Sequence, residues 1–357
     1  MISRSLKNRW TTLTRKEAIR KVLSFEPVSP VPYNLDFTKD MRATLQEHFG
    51  QEDVDEAVGN YMLQINVGSN AGAEVNRVAG ALMKPLGDDC YEDEFGVVWD
   101  KSGGDDIGVP KNKVLAEPDA DLLTVPDASD PMRWQGYEDV LATAGDRYML
   151  VCFSSPLYQR AWFLRSMADF LMDMAANEEF VEALLDKLMG FSISIVQEVA
   201  RRGGADGIFF YDDYAQQTGL LFSPDMFRRY FAPRLAKIFG AAKEQGLDVF
   251  FHSCGDVSSV LEDLQSAGAN VFNPFQPEVM DTAQLAGQFA GRLGFYGGIS
   301  TQHTLPYGTP EDVRAEVAER VSLFREIGGY ILAAAHAIQR DVPLENVLAF
   351  LDAARAS

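Results

Sequence analysis

The sequence predicts an α/β fold, a (β/α)8 TIM barrel, with a small hairpin and loop layer over one end. Three observations predict it. From Arg147 onward, short apolar runs alternate at least six times with helical spacing, as parallel strands joined by right-handed crossovers require. The apolar runs end abruptly in polar residues, as buried parallel strands do at the rim that carries the chemistry. No glycine-rich nucleotide turn follows the first strand, which weighs against the alternative, a doubly wound open sheet.

Each element has its local reason. Thr14 to Ser24 reads as an amphipathic helix whose N-cap Thr14 and Glu17 form a capping box. Pro27, Pro30 and Pro32 end it, and Val31 to Phe37 is the first extended segment. Met41 to Phe49 resumes helical spacing, and Met62 to Val67 reads as a strand before Gly68, Ser69 and Asn70. Residues 74–146 are rich in Asp, Gly and Pro, with short apolar runs such as Phe95 to Trp99, and are expected to form an irregular insertion covering one end of a single domain, 1–357.

Beyond it, strands are expected at Tyr148 to Phe153, Asp206 to Tyr211, Val249 to Phe251, Asn270 to Asn273, Leu293 to Tyr296 and Gly329 to Ala334. Helices are expected at 161–176, 178–202, 257–267 and 282–290, with others opened by Ser223-Pro224-Asp225, by Thr309-Pro310 and by Pro343.

Composition bounds the function. The chain has 357 residues, 46% of them hydrophobic, enough for a sizeable core. Thirty-two basic against 52 acidic side chains give a formal charge of -20, which disfavours nucleic acid and anionic membranes as partners. No apolar run approaches the length of a membrane span, and the basic amino-terminal stretch lacks the apolar core of a signal peptide. Three cysteines form no disulfide framework, so the expected compartment is the cytoplasm.

The polar residues at the strand ends are Ser154 and Ser155, Asp212 and Asp213, His252 and Cys254, Asn273 and Gln276, Ser300, and His336. In a barrel these converge on one rim although they lie far apart in sequence. The run DVFFHSCGD stands out, because His252 and Cys254 are two residues apart on an extended segment and can lean to the same side. An imidazole and a thiolate both suit zinc, and Gly255 permits a sharp turn after them. In isolation such a pair is more often a core histidine and an inert buried thiol. His48 and His303 read as solvated.

The runs YDDYAQQTG, FFHSCGDV, NPFQPEVMD, GFYGGISTQHTLPYGTPEDV and GGYILAAAHAIQRDVPLENV, in that order and spacing, resemble the uroporphyrinogen decarboxylase-like superfamily, as do the earlier EDEFGVVW and FLRSMADFLMDMAANEEF. The resemblance implies a β/α barrel and one of two chemistries. One is cofactor-free decarboxylation; the other is zinc-dependent methyl transfer between a corrinoid protein and a thiol or other small molecule. Where the decarboxylases carry an arginine-rich loop, this chain reads NLDFTKDMR, with Asn34, Asp36 and Asp40, and where they carry a catalytic aspartate it has only Ser69 and Asn70. Carboxylate recognition needs the bidentate guanidinium fork, so the departure favours the methyltransferases.

The methyltransferase branch implies a zinc site at His252 and Cys254, completed by a third ligand seven residues before the proline of the last helix. His336 stands there in place of the family's cysteine. The expected catalytic residues are Asp212, Asp213 and His336, with the aspartates as proton donors or as partners of the site. Gln217, Asn273, Gln276 and Ser300 are the expected substrate contacts. The expected cofactors are zinc and a corrinoid supplied by a partner protein, and a homodimer is one expected assembly. The alternative is a metal-free decarboxylase that acts on a carboxylate substrate.

Overall fold

The computed structural model describes residues 13–68, 76–77, 82–103 and 108–357. The expected strands are present: β1 (Met62–Asn66), β7 (Tyr148–Ser154), β8 (Gly207–Tyr211), β11 (Asp248–His252), β12 (Val271–Asn273), β13 (Gly294–Ile299) and β14 (Tyr330–Ala334). They lie side by side in the order β14-β13-β12-β11-β8-β7-β1, all parallel, with a two-residue strand β2 (Asn76–Arg77) at the β1 edge.

The sheet curls around its own core. Side chains alternate across a strand, and in GIFFY Phe209 packs inside the curl with Phe250, Val271, Tyr296 and Ile331, while Ile208 and Phe210 join the larger core under the helices. Ile19 and Val22 of the helix Arg15–Leu23 belong to the inner cluster. That helix begins at the expected capping box of Thr14 and Glu17.

The regular pairing stops at seven long strands, where eight were expected. The extended segment at 31–37 meets β14 through one isolated parallel bridge, Tyr33 to Leu332, and the loop after β14 through another, Phe37 to Ile338. On its other side the Tyr61 N–H donates to the Tyr33 carbonyl at 3.1 Å. Pro30 and Pro32 have no N–H to give a ladder, which accounts for the sparse pairing. The expected helix at 161–176 also differs. It is two helices, Tyr158–Arg165 and Met167–Ala176, broken at Ser166, which has φ 88° and accepts the Asp169 N–H on its hydroxyl at 3.3 Å.

The insertion forms an antiparallel sheet of β3 (Lys84–Gly87), β4 (Cys90–Glu92), β5 (Val98–Asp100) and β6 (Val109–Pro110). It is anchored on the helix after β7. Trp99 packs edge-on against Phe163, its indole donates to Asp93 at 3.0 Å, and buried Arg160 donates to the same carboxylate at 2.6 Å. Ser69 and Asn70 lie outside the described residues. Among those described, no helix is long and apolar enough to cross a membrane.

Candidate metal centre and substrate cavity

Sheet register sets the site. His252 ends β11 and pairs with Tyr211 at the end of β8 and Asn273 at the end of β12, so three polar strand ends lie level. Gly255, at φ +86°, then turns the chain back. A Cβ there would lie 2.6 Å from the Gln216 carbonyl oxygen, so only glycine lets the loop press against the hairpin β9 (Ala215–Gln216) and β10 (Gly219–Leu220). This contact aims Cys254 back at His252.

One nitrogen or sulfur atom from each of His252, Cys254 and His336 lies within 4.8 Å of the others, the one such group among the described residues. His252 Nε2 and Cys254 Sγ are 3.3 Å apart. With Zn–N near 2.0–2.1 Å and Zn–S near 2.3 Å, a tetrahedral ion needs donors about 3.5 Å apart, so this pair is close to ligating separation.

The imidazole is set for the task. Asn273 Nδ2 donates to the Tyr296 carbonyl at 2.9 Å, which turns Asn273 Oδ1 toward His252 Nδ1 at 2.5 Å. Oδ1 only accepts, so Nδ1 carries the proton and the Nε2 lone pair faces Cys254 and His336. Burial lowers the His252 pKa against the attraction of Asp213, keeping the ring neutral near pH 7. Burial also holds the Cys254 thiol well above its ordinary pKa, with the Asp213 charge adding to the effect. A thiolate there needs a cation beside it. A neutral imidazole with a free lone pair, a thiol in want of a cation and a second imidazole on the last strand's loop together fit a zinc ion.

The two adjacent aspartates have parted company. Asp213 faces this group: its Oδ1 accepts the Cys254 N–H at 2.8 Å and lies 3.6 Å from His252 Nε2, while Gln159 Nε2 holds its Oδ2 at 3.0 Å. Asp212 was expected to converge with His252, Cys254 and His336, and it does not. It is fully buried and turned to the start of the helix Tyr158–Arg165, where it accepts the N–H groups of Leu157 at 3.2 Å, Tyr158 at 2.8 Å and Gln159 at 2.7 Å, plus the Tyr214 hydroxyl at 2.8 Å. Burial pushes its pKa up to about 7 against the pull of these donors. The carboxylate is spent on orphan amides at a helix terminus.

A cavity of about 470 Å³ opens beside the donors, lined by Cys254, Gly255, His336 and residues from the loops after β8, β12, β13 and β14. Two of the expected substrate contacts, Gln217 and Gln276, line it. Asn273 stands behind His252 instead, where it orients the ring. Ser300 is spent on a turn: its hydroxyl donates to Glu278 at 2.5 Å and accepts the His303 N–H at 2.9 Å. His48 and His303 are exposed, as their surroundings in the sequence foretold. Sequence reasoning missed Gln159, the brace of Asp213, and the lining residues Gln216, Gln302 and Gln339. Gln216 sits inside the run YDDYAQQTG and Gln302 two residues after Ser300, so proximity to strand ends was the available signal.

The model of the uroporphyrinogen decarboxylase (URO-D) family matches residues 138–357, the part of the chain that carries six of the seven long strands and all three donors. The chain belongs to that family. It is 27% identical over 183 residues, 51% of each chain, to a methylcobamide:CoM methyltransferase (MtbA) of Methanosarcina acetivorans, and 29% identical over 143 residues, 40% of each chain, to its counterpart from Methanosarcina mazei. The matches thus span about half the length of these curated relatives or less. A solved methyltransferase from Methanosarcina mazei shares the fold, with a TM-score of 0.68 at 20% identity, covering 96% of this chain and 98% of that one.

Proposed function

We propose that this protein is a zinc-dependent methyltransferase that moves a methyl group between a small molecule and a corrinoid carried by a partner protein. The observation that carries this reading is the convergence of His252, Cys254 and His336 at the ends of parallel strands, against a cavity that two of them line. The two named relatives, methylcobamide:CoM methyltransferases, support it. Three protein donors leave the fourth position of a tetrahedral ion for a substrate, which is the pattern of catalytic rather than structural zinc.

His252, Cys254 and His336 would hold the ion, which would supply Lewis acidity toward a thiol or toward the heteroatom that bears the methyl group. The chain's own residues do the rest. Asn273 fixes the His252 tautomer, and the Cys254 backbone is tied to Asp213. Asp213 takes the proton-handling role once expected of either aspartate, because it is the one beside the donors. Gln217 and Gln276 orient the small molecule in the cavity. We read residues 31–37 as the eighth strand of a closed (β/α)8 barrel, since they bridge to β14 on one side and hydrogen-bond toward β1 on the other.

The test is spectroscopic. The full chain, loaded with zinc, is incubated with methylcobalamin and a panel of thiols, and separately with cob(I)alamin and a panel of O-, N- and S-methyl compounds. A change in corrinoid absorbance that is lost in His252→Ala and Cys254→Ala is expected. No response across either panel, together with carbon dioxide release from a carboxylate, would move the assignment to the decarboxylases.

A further inference from the structure

The cavity beside the donors is lined by an unusual set of polar groups. Five glutamines face it, Gln216, Gln217, Gln276, Gln302 and Gln339, from the loops after β8, β12, β13 and β14. No lysine or arginine stands among the described residues that line it, and its one lining carboxylate is Asp341, which is exposed. The nearest charge behind the donors is again negative, Asp213 at 3.6 Å from His252. The anionic tail of a thiol entering this space would give up its water without meeting a lysine or arginine among the described lining residues.

Amides behave differently. Each carries an acceptor oxygen and a two-proton donor without charge. Gln217 Nε2 donates to Gln302 Oε1 at 3.1 Å across the cavity, leaving Gln217 Oε1 and Gln302 Nε2 with capacity to spare. Gln276 Oε1 accepts the Gly255 N–H at 3.4 Å and keeps its two donors. Gln216 and Gln339 are exposed to the same space. The wall therefore presents donors and acceptors on several sides at once, which suits hydroxyl, ether and amide groups.

Taking the cavity as the substrate site of the proposed methyltransferase, we infer that the small molecule it accepts is uncharged and polar, a hydroxyl-, ether- or amide-bearing thiol or methyl compound, and that the site selects against anionic analogues. A cation gains little, because Asp341 is open to solvent and its attraction is screened.

The experiment compares three thiols of equal length on the zinc-loaded full chain: 2-mercaptoethanol, cysteamine and 2-mercaptoethanesulfonate. Affinity is read by calorimetry and corrected for each thiol's acidity. The expected order places 2-mercaptoethanol first, with the sulfonate at least tenfold weaker. Gln339→Lys should raise affinity for the sulfonate at least threefold relative to 2-mercaptoethanol while leaving zinc content unchanged. Equal or tighter binding of the sulfonate or of cysteamine by the unsubstituted protein would overturn the inference, and so would failure of all three to bind. Calorimetry needs no turnover, so a cavity with this preference and no corrinoid response would sink the methyltransferase reading while leaving the amide selectivity standing.

Discussion

Replacing Cys254 by alanine is expected to strip the protein of zinc. The site offers one thiolate and two imidazoles, and the thiol, held above its ordinary pKa by burial, ionises only when a cation sits beside it. Removing it leaves two imidazole nitrogens, one of them on exposed His336. Structural zinc is bound with about 10–16 kcal/mol at pH 7, and losing one of three ligands, the anionic one, should weaken binding at least a thousandfold. Metal analysis after dialysis against a mild chelator should find near-stoichiometric zinc in the unsubstituted protein and almost none in Cys254→Ala, with far-ultraviolet circular dichroism unchanged. Retention of zinc by the variant would place the metal elsewhere.

The second large effect falls on the fold. Asp212→Ala should lower stability by at least about 3 kcal/mol, because three backbone N–H groups and the Tyr214 hydroxyl lose their acceptor in a fully buried place and each unsatisfied group costs roughly 1–3 kcal/mol. Against a total near 5–15 kcal/mol that is severe. Asp212→Asn should cost less. Its carbonyl can replace Oδ2, which serves Leu157, Tyr158 and Tyr214, leaving its amide against the single N–H of Gln159. Urea denaturation midpoints in the order unsubstituted, Asn, Ala are expected, with zinc content per folded molecule unaffected. An Asp212→Asn protein as stable as the parent, yet slow in methyl transfer, would return to Asp212 the proton-delivery role that its burial now denies it.

These two aspartates also mark how far the sequence could be read. An apolar run ending in polar residues located β8 and β11 within a residue or two, and the i, i+2 spacing of His252 and Cys254 was enough to place both side chains together. Spacing could not say which of Asp212 and Asp213 faces the cavity. Their fates depend on a helix terminus more than fifty residues away in the chain and on the Cys254 backbone, contacts with no local trace. The same limit hid Gln159. His336 was legible through family likeness, because its distance from Pro343 matches a known ligand position. The sparse pairing of residues 31–37, where an eighth strand was expected, was harder to foresee, since a segment punctuated by Pro30 and Pro32 reads as extended whether or not it completes a ladder. The glutamines of the cavity look, in sequence, like any solvated loop amides. Their convergence comes only from four separate βα loops meeting at one end of the sheet.

The central claim is that His252, Cys254 and His336 hold one zinc ion. Zinc K-edge X-ray absorption on protein purified without added metal reads that coordination directly. The account predicts a four-coordinate shell with one sulfur at about 2.3 Å, two imidazole nitrogens at about 2.0–2.1 Å and one further light atom, with the sulfur contribution missing from Cys254→Ala. Protein that contains no zinc and takes none up, or a zinc shell made of oxygen and nitrogen alone, would contradict it.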